Sequence, residues 1–222
     1  MVRFFPGVYR MDGHRPLVEG ELAVGGYPGD TGVESAAVVL TGSVDWRGET
    51  LRPGDGVYSP GGGDLPEPTN ARLLLLHGTR PNHDAEATRW RFVPAEDGTP
   101  TDLDGITDMD VRWLITAATA GSAELVVATS TFAPSGRHER HRHPRAAEFY
   151  LVVDGSGTHL DQEGEIHLDT GDLVYIPAGR WHGYRTDPGV RTRAIYGYLG
   201  AGSLDAAGYE LEREGVLGWA EP

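Results

Sequence analysis

Apolar residues along this chain come in short runs, each closed by a break rich in glycine and proline. The runs AAVVLTG (36–42), DGVYSP (55–60), ARLLLLHG (71–78), VRWLITA (111–117), AELVVATSTF (123–132), EFYLVVDG (148–155), DLVYIPAG (172–179) and RTRAIYGYLG (191–200) are rich in β-branched and aromatic residues. With turn signals at roughly 8–12-residue intervals, this pattern predicts an all-β protein of short strands. Helical spacing of apolar positions is confined to GSLDAAGYELERE (202–214), the one helix candidate.

The runs also repeat. LRPGDGVYSPGG (51–62) aligns without gaps with LDTGDLVYIPAG (168–179). A run ending in glycine precedes each, VVLTG (38–42) and YLVVDG (150–155), and another run follows each, RLLLL (72–76) and RAIYGYL (193–199). The spacing is far longer than the about 20–50 residues of a solenoid repeat, so it predicts two copies of one β unit. The expected division is a first unit over 1–80, a linker over 81–110 and a second unit with a C-terminal extension over 111–222. The linker is polar and turn-rich, with one short strand expected at RWRFV (89–93).

Composition narrows the chemistry. At 222 residues, 39% hydrophobic and 23% charged, the chain is that of an ordinary globular protein. No apolar run approaches the roughly 20 residues of a spanning helix, so no membrane partner is expected. The start, MVRFFPGVYRMDG, lacks an apolar core followed by a small-residue cleavage site, which places the expectation in the cytoplasm. A net charge of −14 opposes nucleic acid and anionic lipid. The absence of cysteine removes disulfides, thiolate nucleophiles and zinc–thiolate sites. All 19 basic residues are arginine, so lysine Schiff-base chemistry is excluded as well.

Against that acidic background RHERHRHPR (137–145) stands out. His141 and His143 are two apart and leave the same face of an extended strand. Pro144 interrupts the strand, and a new one beginning near Glu148 turns Glu148, Tyr150 and Val152 to a common face. His182 follows the turn PAGRW and can return to the first two histidines through a hairpin. Three neutral imidazoles and a carboxylate suit a first-row divalent metal, with Fe, Mn, Ni, Cu, Co and Zn all open. His138 falls three residues before His141 and reads as exposed; Arg137, Arg140, Arg142 and Arg145 read as solvent-facing or at a subunit contact, with guidance of an anionic substrate by one or two of them as the functional alternative.

HRHPRAAEFYLVVDG has the form His-x-His-x4-Glu-x6-Gly, and GDLVYIPAGRWH has the form Gly-x5-Pro-x-Gly-x2-His, 15 residues further on. Together they resemble the two ordered motifs of the cupin superfamily. The resemblance implies two tandem jelly-roll β-barrels, with His141, His143, Glu148 and His182 as ligands of a divalent metal in the second. Thr186 stands where the second motif usually ends in asparagine. In the first copy the ligand positions hold Pro28, Asp30, Ser35 and Leu65, which implies a barrel without metal.

Around the implied metal, alternation turns Tyr150 and Tyr184 inward, and His159 occupies a strand position where an apolar residue is expected. With Glu148 these are the candidate catalytic residues; Trp181, Tyr196 and Tyr198 are candidate pocket walls. The implied function is that of a metal-dependent enzyme on a small organic molecule, with a ferrous dioxygenase using O2 as the leading expectation. A Lewis-acid isomerase, cyclase or lyase and a regulatory cupin that binds without catalysis are the alternatives. Exposed barrel edges add the expectation of a homodimer.

Overall fold

The structure is a computed structural model that describes residues 7–10, 33–61, 63, 65–66, 71–79, 82 and 91–212. In chain order its strands begin with β1 (Gly7–Arg10), β2 (Ser35–Gly42), β3 (Val44–Trp46), β4 (Glu49–Leu51), β5 (Gly56–Ser59), β6 (Ala71–His77) and β7 (Arg91–Val93). There follow β8 (Thr99–Thr101), β9 (Ile106–Ile115), a four-residue helix α1 (Ala117–Ala120), β10 (Val127–Arg142), β11 (Ala147–Asp154), β12 (Ser156–Leu160) and β13 (Glu165–Asp169). The last elements are β14 (Asp172–Ile176), β15 (His182–Thr186), β16 (Thr192–Leu199), a second short helix α2 (Leu204–Ala207) and β17 (Glu210–Leu211). The expected strand runs and the all-β class are present.

Every named strand pairing is antiparallel. The large sheet runs β1-β14-β11-β16-β10-β15-β12-β13, with β9 and β17 also on β10 and β8 on β9. A second sheet runs β6-β2-β5-β7, and β3 and β4 form a hairpin. The stretch read as a linker contributes to both, β7 pairing with β5 and β8 with β9. At the other end of the chain, β1 lies along β14 and so extends the sheet of the second unit with residues from the start of the chain.

Strands that read as continuous apolar runs are buried on both faces. One face of β2 and β6 gives Ala37, Val39, Leu73 and Leu75 to a core with Leu51, Val57 and Leu65. The opposite face gives Ala36, Val38, Leu74 and Leu76 to a core shared with Leu114, Ile115, Leu125, Phe149, Leu151 and Leu173 of the second unit. The two sheets therefore pack face to face, and period-2 alternation is lost because neither face meets water. A buried carboxylate ties the same boundary. Glu34 accepts from the Tyr58 hydroxyl at 2.6 Å and from the Ala123 and Glu124 amides.

In the second unit, Tyr150, Val152, Val174, Ile176, Tyr184 and Tyr196 face an inner core with Phe132 and Ala128. Glu148 sits at one end of that inner face. Of the helix candidate at 202–214, only α2 is helical among the described residues. Gly208 ends it, and the chain then extends so that β17 can pair with His141 and Arg142 of β10. Ladder hydrogen bonds to an existing strand win over the weak local helical preference. Pro28 and Asp30 lie outside the described residues. So does the end of the C-terminal extension, residues 213–222.

Candidate metal centre

β10 is the strand that carries the site, and its irregularity decides which side chains reach it. The register with β15 sets His141 directly opposite His182 and then shifts between His141 and His138. On a regular strand two residues three apart face opposite ways; the bulge turns them to one side. His138 consequently stacks on His141 with ring centroids 3.8 Å apart and 20° between planes. It is buried, 7% exposed, and lines the cavity, which corrects the expectation of an exposed residue. Arg140 is likewise buried, its guanidinium paired with Glu212, and so departs from the solvent-facing reading. Arg137, Arg142 and Arg145 remain in contact with solvent.

The four ligand candidates converge. His141, His143, Glu148 and His182 are all buried, and their ligand atoms lie within 4.8 Å of one another. It is the one group of three or more His, Asp or Glu side chains so arranged among the described residues. His143 follows the end of β10, and its carbonyl accepts from the Gly179 amide at 2.8 Å, which ties the first motif to the second. Glu148 enters from β11 between Ile176 and Tyr198 on the flanking strands.

Hydrogen bonds on the far side of each ring fix the tautomers. The Nδ1–H of His141 donates to the Glu139 carbonyl at 2.8 Å, that of His143 to the Gly208 carbonyl at 2.6 Å and that of His182 to the Arg180 carbonyl at 3.0 Å. A carbonyl can only accept, so the proton of each neutral ring is on Nδ1 and the lone pair is on Nε2. The three Nε2 atoms lie 3.8, 3.0 and 3.1 Å from Glu148 Oε2, and those of His141 and His143 have no hydrogen-bond partner. Lone pairs and a carboxylate facing one another in a buried space repel unless a cation sits among them. The donor set, three nitrogens and one oxygen without sulfur, fits a first-row divalent metal, and four ligands leave coordination positions for water or substrate.

Electrostatics agree with that fit. Burial pushes the Glu148 carboxyl up, but the surrounding imidazoles, His182 foremost, outweigh it and hold Glu148 well below the usual carboxylate range. Burial lowers His141 to about 4, helped by His182. The metal-binding protonation states, a carboxylate and a neutral imidazole, are the favoured ones.

Beside the centre lies a narrow cavity. Tyr150, His159 and Tyr184 line it, as does Tyr196 from the list of candidate walls. Met109, Phe132 and Ile176 supply its apolar surface. The hydroxyls of Tyr150, Tyr184 and Tyr196 are buried, and none makes a well-formed hydrogen bond. Burial raises all three, Tyr184 to about 12. Burial lowers His159 to about 3, with His182 adding to the shift, so its imidazole is neutral.

Two candidate walls are elsewhere. Trp181 lies under the Arg142 guanidinium, 4.7 Å from ring centroid to Cζ, and Tyr198 packs on His143 at 4.4 Å. Thr186 bonds to Thr192 at 2.6 Å, away from the ligands. Tyr209, which sequence reasoning did not single out, packs against three of the histidines; its neighbours in sequence gave only a helix signal.

Comparison with known proteins agrees with this fold. A cupin domain family model matches residues 128–195. The protein named dimethylsulfoniopropionate lyase DddW from Ruegeria pomeroyi is 32% identical over 146 residues, which is 64% of this chain and 90% of that protein. Oxalate decarboxylase OxdC of Bacillus subtilis superposes with a TM-score of 0.57 at 13% identity, covering 81% of this chain and 65% of its own. Protein Ylba of E. coli superposes at 0.58 and 16% identity, covering 77% and 69%. At those identities the two structures speak for the fold alone.

Proposed function

Because the chain belongs to the cupin superfamily, we propose that it is a metal-dependent enzyme whose centre acts as a Lewis acid on a small organic molecule, in an elimination, cyclisation or related proton-transfer reaction. The observation that carries this reading is the set of proton-handling side chains beside the ligands: three buried tyrosine hydroxyls without well-formed hydrogen bonds and one neutral histidine. The name of the R. pomeroyi relative, a lyase, points the same way.

When bound at His141, His143, Glu148 and His182, a divalent cation supplies the positive charge that polarises a substrate oxygen. The tyrosines remain protonated near neutrality, since burial disfavours their phenolates, and they are donors to substrate oxygens. His159 is a proton acceptor on the same wall. Met109, Phe132 and Ile176 exclude water and favour a flat or apolar substrate body, which strengthens each polar contact. The same reading takes residues 1–80 as a cupin unit without metal, 81–110 as the connection and 111–222 as the metal-binding unit. Ser35 and Leu65 at the ligand positions of the first unit support it.

A ferrous dioxygenase would use the same four ligands, so oxygen dependence is the discriminating test. Metal-free protein is reconstituted anaerobically with Fe(II), Mn(II), Co(II), Ni(II) or Zn(II) and offered enolisable keto acids, phenols and β-substituted carboxylates. Turnover without oxygen on a redox-inert metal is the expected result. Turnover only with Fe(II), with O2 consumed in step with product, would return the dioxygenase reading. Tight metal binding without turnover on any metal would favour a regulatory cupin.

A further inference from the structure

We infer that the segment Ser203–Glu212 is a positioning element of the metal centre, with Gly208 and Tyr209 acting on the histidines and the arginines of the 137–145 stretch anchoring it. The inference rests on the ligand reading of His141, His143, Glu148 and His182, and is independent of the reaction.

The segment enters through α2, whose cap Ser203 accepts from the Ala206 amide at 3.1 Å. It then turns at Gly208, whose φ of 77° and ψ of 154° lie in a region essentially restricted to glycine. That turn aims the Gly208 carbonyl at His143 Nδ1, 2.6 Å away. The Tyr209 ring follows, with centroids 5.3 Å from His141, 5.7 Å from His143 and 6.0 Å from His138. Its hydroxyl donates to the Asp104 carbonyl and accepts from His138 Nε2 at 3.0 Å. β17 next joins β10 at His141 and Arg142, and the Glu212 amide donates to the Arg140 carbonyl at 2.8 Å.

The anchors are the arginines that alternate with the ligands. Arg140 holds both carboxylate oxygens of Glu212 at 2.9 and 3.0 Å, with side chains only 6% and 14% exposed. Arg142 Nε donates to Glu210 at 2.8 Å, and Arg145 Nε donates to the Ala206 carbonyl at 2.8 Å. Histidines of the motif thus turn to the metal while its arginines grip an acidic segment more than sixty residues later. Fixing the acceptor on the rear nitrogen fixes the direction of the Nε2 lone pair, which is how such partners govern metal affinity.

Cobalt(II) is the probe, because its visible absorption reports ligand geometry and is blind to the global stability of the chain. Full-length protein loaded with Co(II) is read by its absorption envelope and by its rate of metal loss into excess EDTA, well below the unfolding temperature. Glu212→Arg releases the anchor and is expected to alter the envelope and weaken metal retention by about 10- to 100-fold. Adding Arg140→Glu to it restores the pair and both readouts. Gly208→Ala leaves the charges intact but strains the turn and brings a Cβ to 3.1 Å from Pro144 Cδ; it is expected to change the envelope in the same way. It also serves if Glu212→Arg does not fold. A wild-type envelope and dissociation rate in the folded variants overturns the inference while leaving the ligand reading intact. Failure of the unaltered chain to take up Co(II) sinks both.

Discussion

The two β units make the same turn and fill the space beside it in opposite ways. In the first, the Gly54 amide donates to the Val39 carbonyl at 2.8 Å; in the second, Gly171 donates to Val152 at the same distance, and both glycines have φ of 96°. Asp55 closes the first turn by accepting from the Arg52 amide at 2.7 Å, and Asp172 closes the second by accepting from Asp169 at 2.9 Å. Register is shared as well, since Ser35 pairs with Ser59 where Glu148 pairs with Ile176. Yet Ser35 spends its hydroxyl on His77 Nδ1 at 2.8 Å, and Leu65, aligned with His182, is buried in an apolar core. The same turn and register thus accompany a packed core in one unit and a polar centre in the other. Which one a unit holds depends on a few inward side chains.

The strongest way to break that contrast is to remove a ligand. His182→Ala is expected to reduce metal content from about one per chain to near zero and to abolish turnover, because it removes one of the three nitrogen donors and leaves a hole in the coordination shell. Elemental analysis of the purified protein reads it. Ser35→Ala, at the matching position of the first unit, should leave metal content unchanged. A second metal in the unaltered chain would contradict the asymmetry.

The boundary between the units comes next. Glu34→Ala strands the Tyr58 hydroxyl and two backbone amides, and is expected to cost about 3 kcal/mol. Because the face-to-face core is shared, denaturant unfolding followed by both intrinsic fluorescence and far-UV circular dichroism should remain one coincident transition. Two separated transitions would show that the units are stabilised independently.

Rebuilding the centre in the first unit should fail. Leu65→His places an imidazole in an apolar core and is expected to cost about 2–4 kcal/mol. Combined with Ser35→Glu it should still take up no additional metal, since the positions of His141 and His143 are held by Pro28 and Asp30. Metal stoichiometry after reconstitution checks this directly.

The smallest effects test the shared turn. Gly171→Ala is expected to cost about 1–2 kcal/mol from left-handed strain. Gly54→Ala should cost more, because its Cβ would meet Ala95 Cβ at 3.0 Å. Equal costs in paired melts would mean that the contact relaxes freely.

Much of this was legible in the chain. Short β-branched runs between turn residues gave the strands, and the repeat of PGDGVYSP and TGDLVYIP marked two turns that prove to share one hydrogen-bond pattern. The spacing of His141, His143, Glu148 and His182 was enough to propose a ligand set, since strand alternation and a proline break are local properties. His138 and Arg140 were misjudged because a bulge in β10 shifts the facing of side chains, and a bulge depends on the partner strand rather than on local sequence. Tyr209 was missed for the related reason that a local helical pattern yielded to pairing with β10.

The sequence by itself therefore determined the strand class, the duplicated turn, the exclusion of thiol and lysine chemistry, and the four residues proposed to hold a metal. Tertiary structure decided the rest: the burial of His138, the convergence of Tyr150, Tyr184 and Tyr196 on one cavity, and the grip of arginines 140, 142 and 145 on the segment that touches the ligand histidines. The division follows from range. Backbone preference and alternation act over a few neighbours and can be read along the chain, whereas burial and rear-side hydrogen bonding arise from residues that only the folded sheets bring together.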